Sequence, residues 1–149
     1  MGRDKRNEQR GDHFTKMFRT VMESNAWSAL SIHAQALYPW LKLEWKGPKA
    51  NNNGRIGLSV RQAQERLGCS KDTAAKALRD LQAKGFIQVT RPAVLGVTGS
   101  AKCHLYEITE IAMPGENPRP RNLFREWRPD ADFPIADIRT NNPLGRNGK

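Results

Sequence analysis

Little in this sequence supports catalysis or metal binding. Only two of its 149 residues are cysteine, Cys69 and Cys103, and they form no Cys-x-x-Cys pair. The three histidines (His13, His33, His104) stand alone in the sequence, so no cluster has zinc-ligand spacing and no metal is expected. There is no P-loop, dinucleotide fingerprint or G-x-S-x-G elbow, which argues against an enzyme and leaves no cofactor to expect. In a reducing cytosol two free thiols are expected, with a Cys69–Cys103 disulfide as the alternative. Long apolar runs are missing as well. Residues 93–97 form one of the longest, far short of the roughly 18 a membrane helix needs. The start, Met1-Gly2-Arg3-Asp4-Lys5-Arg6, leads into polar residues rather than an apolar signal region. These absences predict a soluble, cytoplasmic protein with no membrane partner.

Basic charge is abundant. Against 15 Asp and Glu stand 25 Lys and Arg, giving a net charge of +10 and making a polyanion the default partner. A mean hydropathy of −0.72 with 38% apolar residues places some of the chain outside any core. The charge is uneven: residues 1–20 carry six basic and three acidic residues, and residues 21–109 carry twelve and six. Residues 110–149 carry seven and six and contain Pro114, Pro118, Pro120, Pro129, Pro134 and Pro143. The excess therefore belongs to the N-terminal arm and the middle. We read residues 1–12 as a flexible basic arm, 13–110 as the ordered domain, 111–138 as an extended Pro/Arg-containing segment partly docked on it, and 139–149 as a disordered tail.

Within the domain, Phe14, Met17, Phe18, Val21 and Met22 follow helical spacing, and Asp12 is placed to cap that helix. Such a stripe either packs on its own domain or serves as a homodimer helix. Leu30, Ala34, Leu37, Leu41 and Trp45 continue at helical intervals, interrupted by Pro39, which predicts a kink or a break. Gly47-Pro48 and Asn51-Asn52-Asn53-Gly54 mark a loop.

The richest stretch follows. Ser59-Val60-Arg61-Gln62 is a capping box, opening a helix that buries Val60, Ala63 and Leu67 and stops at Gly68. Only Cys69 separates that glycine from Ser70, a second N-cap, so two helices meet at a tight turn. The second helix, from Lys71 to Lys84, turns Ala74, Ala77, Leu78 and Leu81 inward, and its opposite face centres on Asp72, Lys76 and Arg79. A small, polar, basic outer face held by a short turn has the shape that enters a major groove. After Gly85, residues 86–90 and 103–108 read as a β-hairpin with a long tip. On the returning strand His104 shares parity with Tyr106 and Ile108, and Glu107 with Leu105, and the pattern does not choose the buried face.

The run Leu58-Ser59-Val60-Arg61-Gln62-Ala63 … Leu67-Gly68-Cys69-Ser70 … Thr73-Ala74 … Ala77-Leu78 … Leu81 … Gly85-Phe86-Ile87 resembles the winged helix-turn-helix domains of prokaryotic DNA-binding proteins. The likeness covers roughly residues 26–109. It is greatest to the forms common in alphaproteobacteria and their plasmids and phages, where an Asn-Asn-Gly loop precedes the same helices. The resemblance implies a mainly α fold with a small β-wing, a three-helix core whose last helix reads the groove, and a wing that touches the backbone.

The candidate recognition residues are Lys71, Asp72, Thr73, Lys76 and Arg79. Against that stands an ordinary Asp72–Lys76 surface ion pair, and Thr73 equally fits packing at the turn. Ser59, Arg61, Ser70, Arg91 and Lys102 are the candidate backbone contacts, and Arg3, Lys5, Arg6 and Arg10 a basic arm or a solubilising tail. In the C-terminal segment Leu123, Phe124, Trp127 and Phe133 either dock on the domain or, among arginines, meet nucleic acid or a protein partner. The expected function is sequence-specific binding of double-stranded DNA, as a transcriptional regulator acting by site occupancy. Alternatives are a plasmid or phage replication or recombination accessory protein at an origin or att site, and a winged-helix protein-interaction module.

Overall fold

Serine side chains set where the early helices begin. The computed structural model describes residues 12–95, 103–115, 119–136 and 139–140, with 94–95 and 139–140 described by backbone alone. Helix α1 (Arg19–Met22) starts after Phe18 without a side-chain cap, whereas Ser24 caps α2 (Asn25–Ala29) and Ser31 caps α3 (Ile32–Leu43). The helix expected from residue 14, with Asp12 as its cap, is therefore corrected: residues 12–18 are not helical. Its apolar stripe has too little to pack on, since Val21 is buried while Phe14, Phe18 and Met22 stay exposed. So few buried residues do not offset the cost of helix nucleation. The Lys16 carbonyl, which such a helix would use internally, accepts instead from Lys42 Nζ.

Of the kink or break expected at Pro39, the break is absent: α3 runs through the proline. Proline gives no amide to the Gln35 carbonyl, but Ala34, Leu37, Tyr38, Leu41 and Lys42 are all buried on this helix. Packing on both sides of Pro39 holds the turn.

Strand β1 (Ile56–Gly57) leads into α4 (Val60–Leu67) and α5 (Lys71–Ala83), followed by β2 (Ile87–Arg91), β3 (Val94–Leu95) and β4 (Leu105–Ile108). Helices α3, α4 and α5 pack on one another. The strands form an antiparallel sheet in the order β1-β4-β2, with Ile56 opposite Tyr106 and Ile87 opposite Ile108. The parity question on β4 resolves in an unexpected way. Tyr106 and Ile108 enter the core, yet Glu107 on the other face is buried too.

Glu107 is covered by the C-terminal segment. Arg121 Nε donates to Glu107 Oε2 at 2.9 Å and its Nη2 reaches both Glu107 Oε1 and Gln88 Oε1. The hydrogen bond to Glu107 holds the Arg121 guanidinium above its ordinary pKa, with burial opposing and the Glu107 charge adding to it. From there a short 3-10 turn (Leu123–Glu126) drives Phe124 into the core, where its ring stacks on Phe86 at 4.8 Å. Phe86 meets Trp27 and Tyr38 edge-on at 5.7 and 5.3 Å, so one aromatic cluster joins α2, α3, the hairpin and the C-terminal segment. Phe124 and Trp127 of the C-terminal segment thus belong to the same buried cluster as the helices and the sheet. Gly85, at φ +83, is required here: a Cβ would lie 2.6 Å from the Phe133 ring.

Two residues of the expected disordered tail are paired. Arg139–Thr140 (β5) runs parallel to β3, whose backbone is the edge that accepts it, while 141–149 lie outside the described residues. Among the described residues no helix is long and apolar enough to cross a membrane.

Candidate nucleic-acid interface

Local chemistry builds the two-helix unit. Ser59 Oγ accepts the Gln62 amide at 3.0 Å while Gln62 Oε1 accepts the Ser59 amide at 2.9 Å, so the capping box closes in both directions. Helix α4 ends at Gly68, φ +62, a conformation costly for other residues, and its amide bonds the Gln64 carbonyl at 2.8 Å. Cys69 and Ser70 complete the three-residue turn, and Ser70 Oγ caps α5 by accepting the Thr73 amide at 3.1 Å. Alanines at positions 63, 74 and 77 are all fully buried or nearly so, which lets α4 and α5 approach closely.

This folding turns one face of α5 outward. Lys71, Asp72, Lys76 and Arg79 are all exposed, and Ala75 beside them is half-buried. Asp72, Lys76 and Arg79 recur at i, i+4 and i+7, so the row extends about 10 Å along the helix. A B-form major groove is about 12 Å wide. The row therefore matches the groove in scale, with two cations and one carboxylate along it. The hydroxyls at the start of α5 have internal partners: Ser70 Oγ and Thr73 Oγ1 lie 2.8 Å apart, and Thr73 is half-buried.

The remaining candidates lie elsewhere. Arg61 is exposed on the first turn of α4, 3.5 Å from Glu65, an i, i+4 pair weak enough to yield to a phosphate. The Ser59 hydroxyl is engaged in its cap. Arg91 is exposed at the far end of β2, where a bulge between Val89 and Arg91 shifts the register. Thr90, the residue left over by that bulge, donates its hydroxyl to the carbonyls of Gly54 and Leu105. Lys102 and the arm residues Arg3, Lys5, Arg6 and Arg10 lie outside the described residues. At the loop end of the hairpin His104 is buried, its Nδ1 accepting the Ala93 amide at 2.7 Å. Cys69 and Cys103 are free thiols.

A second polar constellation has no forerunner in the sequence reading. Lys42, buried at the end of α3, pairs with Glu110 at 3.1 Å, and the Tyr38 hydroxyl donates to Glu110 Oε1 at 2.6 Å. Burial first, and then the Glu110 charge and hydrogen bond, push the Tyr38 phenol well above its ordinary pKa. The only signal was a lysine in an otherwise apolar helix face. Beside it the three asparagines of the loop spend every amide inward. Asn51 bonds Trp45 and Ala112, Asn52 bonds Lys46 and Glu44, and Asn53 bonds Ile108, Ile111 and Ala112.

Compared with known protein families, curated proteins and solved structures, the chain finds no match.

Proposed function

We propose that this chain binds double-stranded DNA in a sequence-specific manner, with α5 in the major groove, and regulates transcription by occupying its site. The observation that carries the reading is the α4–α5 unit. A three-residue turn and two serine caps hold α5 so that Lys71, Asp72, Lys76 and Arg79 face solvent together. The order of elements supports a winged helix-turn-helix: three packed helices, then a hairpin whose returning strand also pairs with β1. In this reading Arg79 and Lys76 meet base edges, Arg61 meets phosphate, and Arg91 on the hairpin meets the flanking backbone.

The test uses a duplex selected from a random pool by the full chain. Lys76→Ala and Arg79→Ala should each weaken its binding by about 1–3 kcal/mol in fluorescence anisotropy. Arg61→Ala should weaken all duplexes alike and flatten the salt dependence. Equal binding by the wild type and the Lys76→Ala/Arg79→Ala variant would overturn the placement of α5, and absence of any DNA binding at moderate salt would favour a protein-interaction module.

A further inference from the structure

Residues 13–18, the end of α3, the 44–51 loop and residues 110–115 line an open cleft of about 1440 Å³. We propose that this cleft binds a small apolar anion: a ring or chain of carbon with one carboxylate, sulfonate or phosphate head. Its walls are largely carbon. Phe14 and Phe18 line it with 72% and 52% of their surfaces exposed, and Trp45, Ile111 and Met113 are half-buried against it. Two exposed phenylalanines on one concave surface are a standing cost in water that an apolar ligand relieves.

The charge of the lining selects the head group. At the bottom Lys42 and Glu110 are both buried and neutralise each other, with Tyr38 completing the carboxylate's hydrogen bonds. That part of the cleft offers no unmet charge. Among the described residues the outer lining carries Lys16, Lys46 and Lys49, all exposed, against the carboxylate of Glu44. A carbon body inside and an anionic head at the lysines satisfies both parts. Such ligand sites usually measure roughly 300–1,000 Å³, so this cleft has room for a chain as well as a ring. None of these residues lies on α5, and the proposal stands apart from the DNA reading.

The experiment titrates the full chain with 8-anilinonaphthalene-1-sulfonate, an aromatic anion, and with its uncharged relative N-phenyl-1-naphthylamine. Saturable binding of one sulfonate per chain is expected. Lys46→Glu/Lys49→Glu should weaken the sulfonate about tenfold, as several exposed charge interactions reverse together, and the neutral probe by less than about twofold. Phe18→Asp should weaken both probes, with near-ultraviolet circular dichroism unchanged in either variant. The Lys76→Ala/Arg79→Ala variant should bind the probes as the wild type does, which separates failure of this proposal from failure of the DNA reading. No saturable binding by the wild type would overturn it, as would equal loss of both probes on charge reversal, or sedimentation as a dimer that binds neither.

Discussion

The outer face of α5 and the region around Lys42 both concentrate polar side chains, and they spend them in opposite directions. Around Lys42 the lysine, Glu110, Tyr38 and the three asparagines make hydrogen bonds within the chain. On α5, Lys71, Asp72 and Lys76 are turned to solvent, and the helix is held by the alanines and leucines of its other face. The residues bonded within the chain and those turned to solvent are thus different sets. A polar group used inward is costly to remove, whereas one facing water is nearly neutral for the fold and open to a partner.

Substitutions can test that contrast. The largest effect is expected of Lys42→Met, which strands the buried Glu110 charge and should cost about 3–5 kcal/mol in urea unfolding. A cost under 1 kcal/mol there would blur the division. Asn53→Ala should cost about 1–3 kcal/mol by the same measurement, since it leaves the Ile108 amide and nearby carbonyls without their partner.

Alkaline titration probes the inward region from another side. The chain has two tyrosines, and burial, aided by Glu110 at Tyr38 and by Cys103 at Tyr106, raises both phenols above their ordinary value of 10.0. The folded chain keeps these protons where the unfolded chain releases them, so their contribution to stability is whole below pH 10 and is lost as pH rises. The slope is about 1.4 kcal/mol per pH unit for each phenol. Tyrosinate absorbance should appear together with unfolding, and gradual titration of a folded chain would contradict the burial. The smallest effect belongs to α5: Lys76→Ala should shift unfolding by no more than about 0.5 kcal/mol. A larger loss would mean that the outer face also serves the fold.

Much of the two-helix unit was legible because its signals are local. The Ser59/Gln62 box, Gly68 and Ser70 act within three or four residues of themselves, and the structure has each in place. Readings that depended on distant partners fared worse. The Phe14–Met22 stripe has helical spacing but buries Val21 and leaves Phe14, Phe18 and Met22 exposed, and packing on both sides of Pro39 keeps α3 unbroken. Lys42 and Glu110 are 68 residues apart, and no spacing rule pairs them. The asparagine loop was visible as a loop, but its service as a tie to residues 108–112 was not. For the candidate site, periodicity identified the exposed row on α5, since burial of the opposite face dictates it. Whether Ser59, Ser70 and Thr73 would be consumed by capping depended on geometry that spacing only suggests.

The stacking of Phe124 on Phe86 also has a meaning for synthesis. The helices, the hairpin and their turn are all complete in sequence by residue 108, yet one side of the Phe86 ring has no cover until residue 124 arrives. During translation the nascent chain therefore passes through a stage in which its secondary structure is encoded but its aromatic cluster is open on one face. Closure waits for a four-residue turn that follows the helices and the hairpin in sequence, so a ribosome stalled between these two points holds an unfinished protein with one face of the Phe86 ring bare.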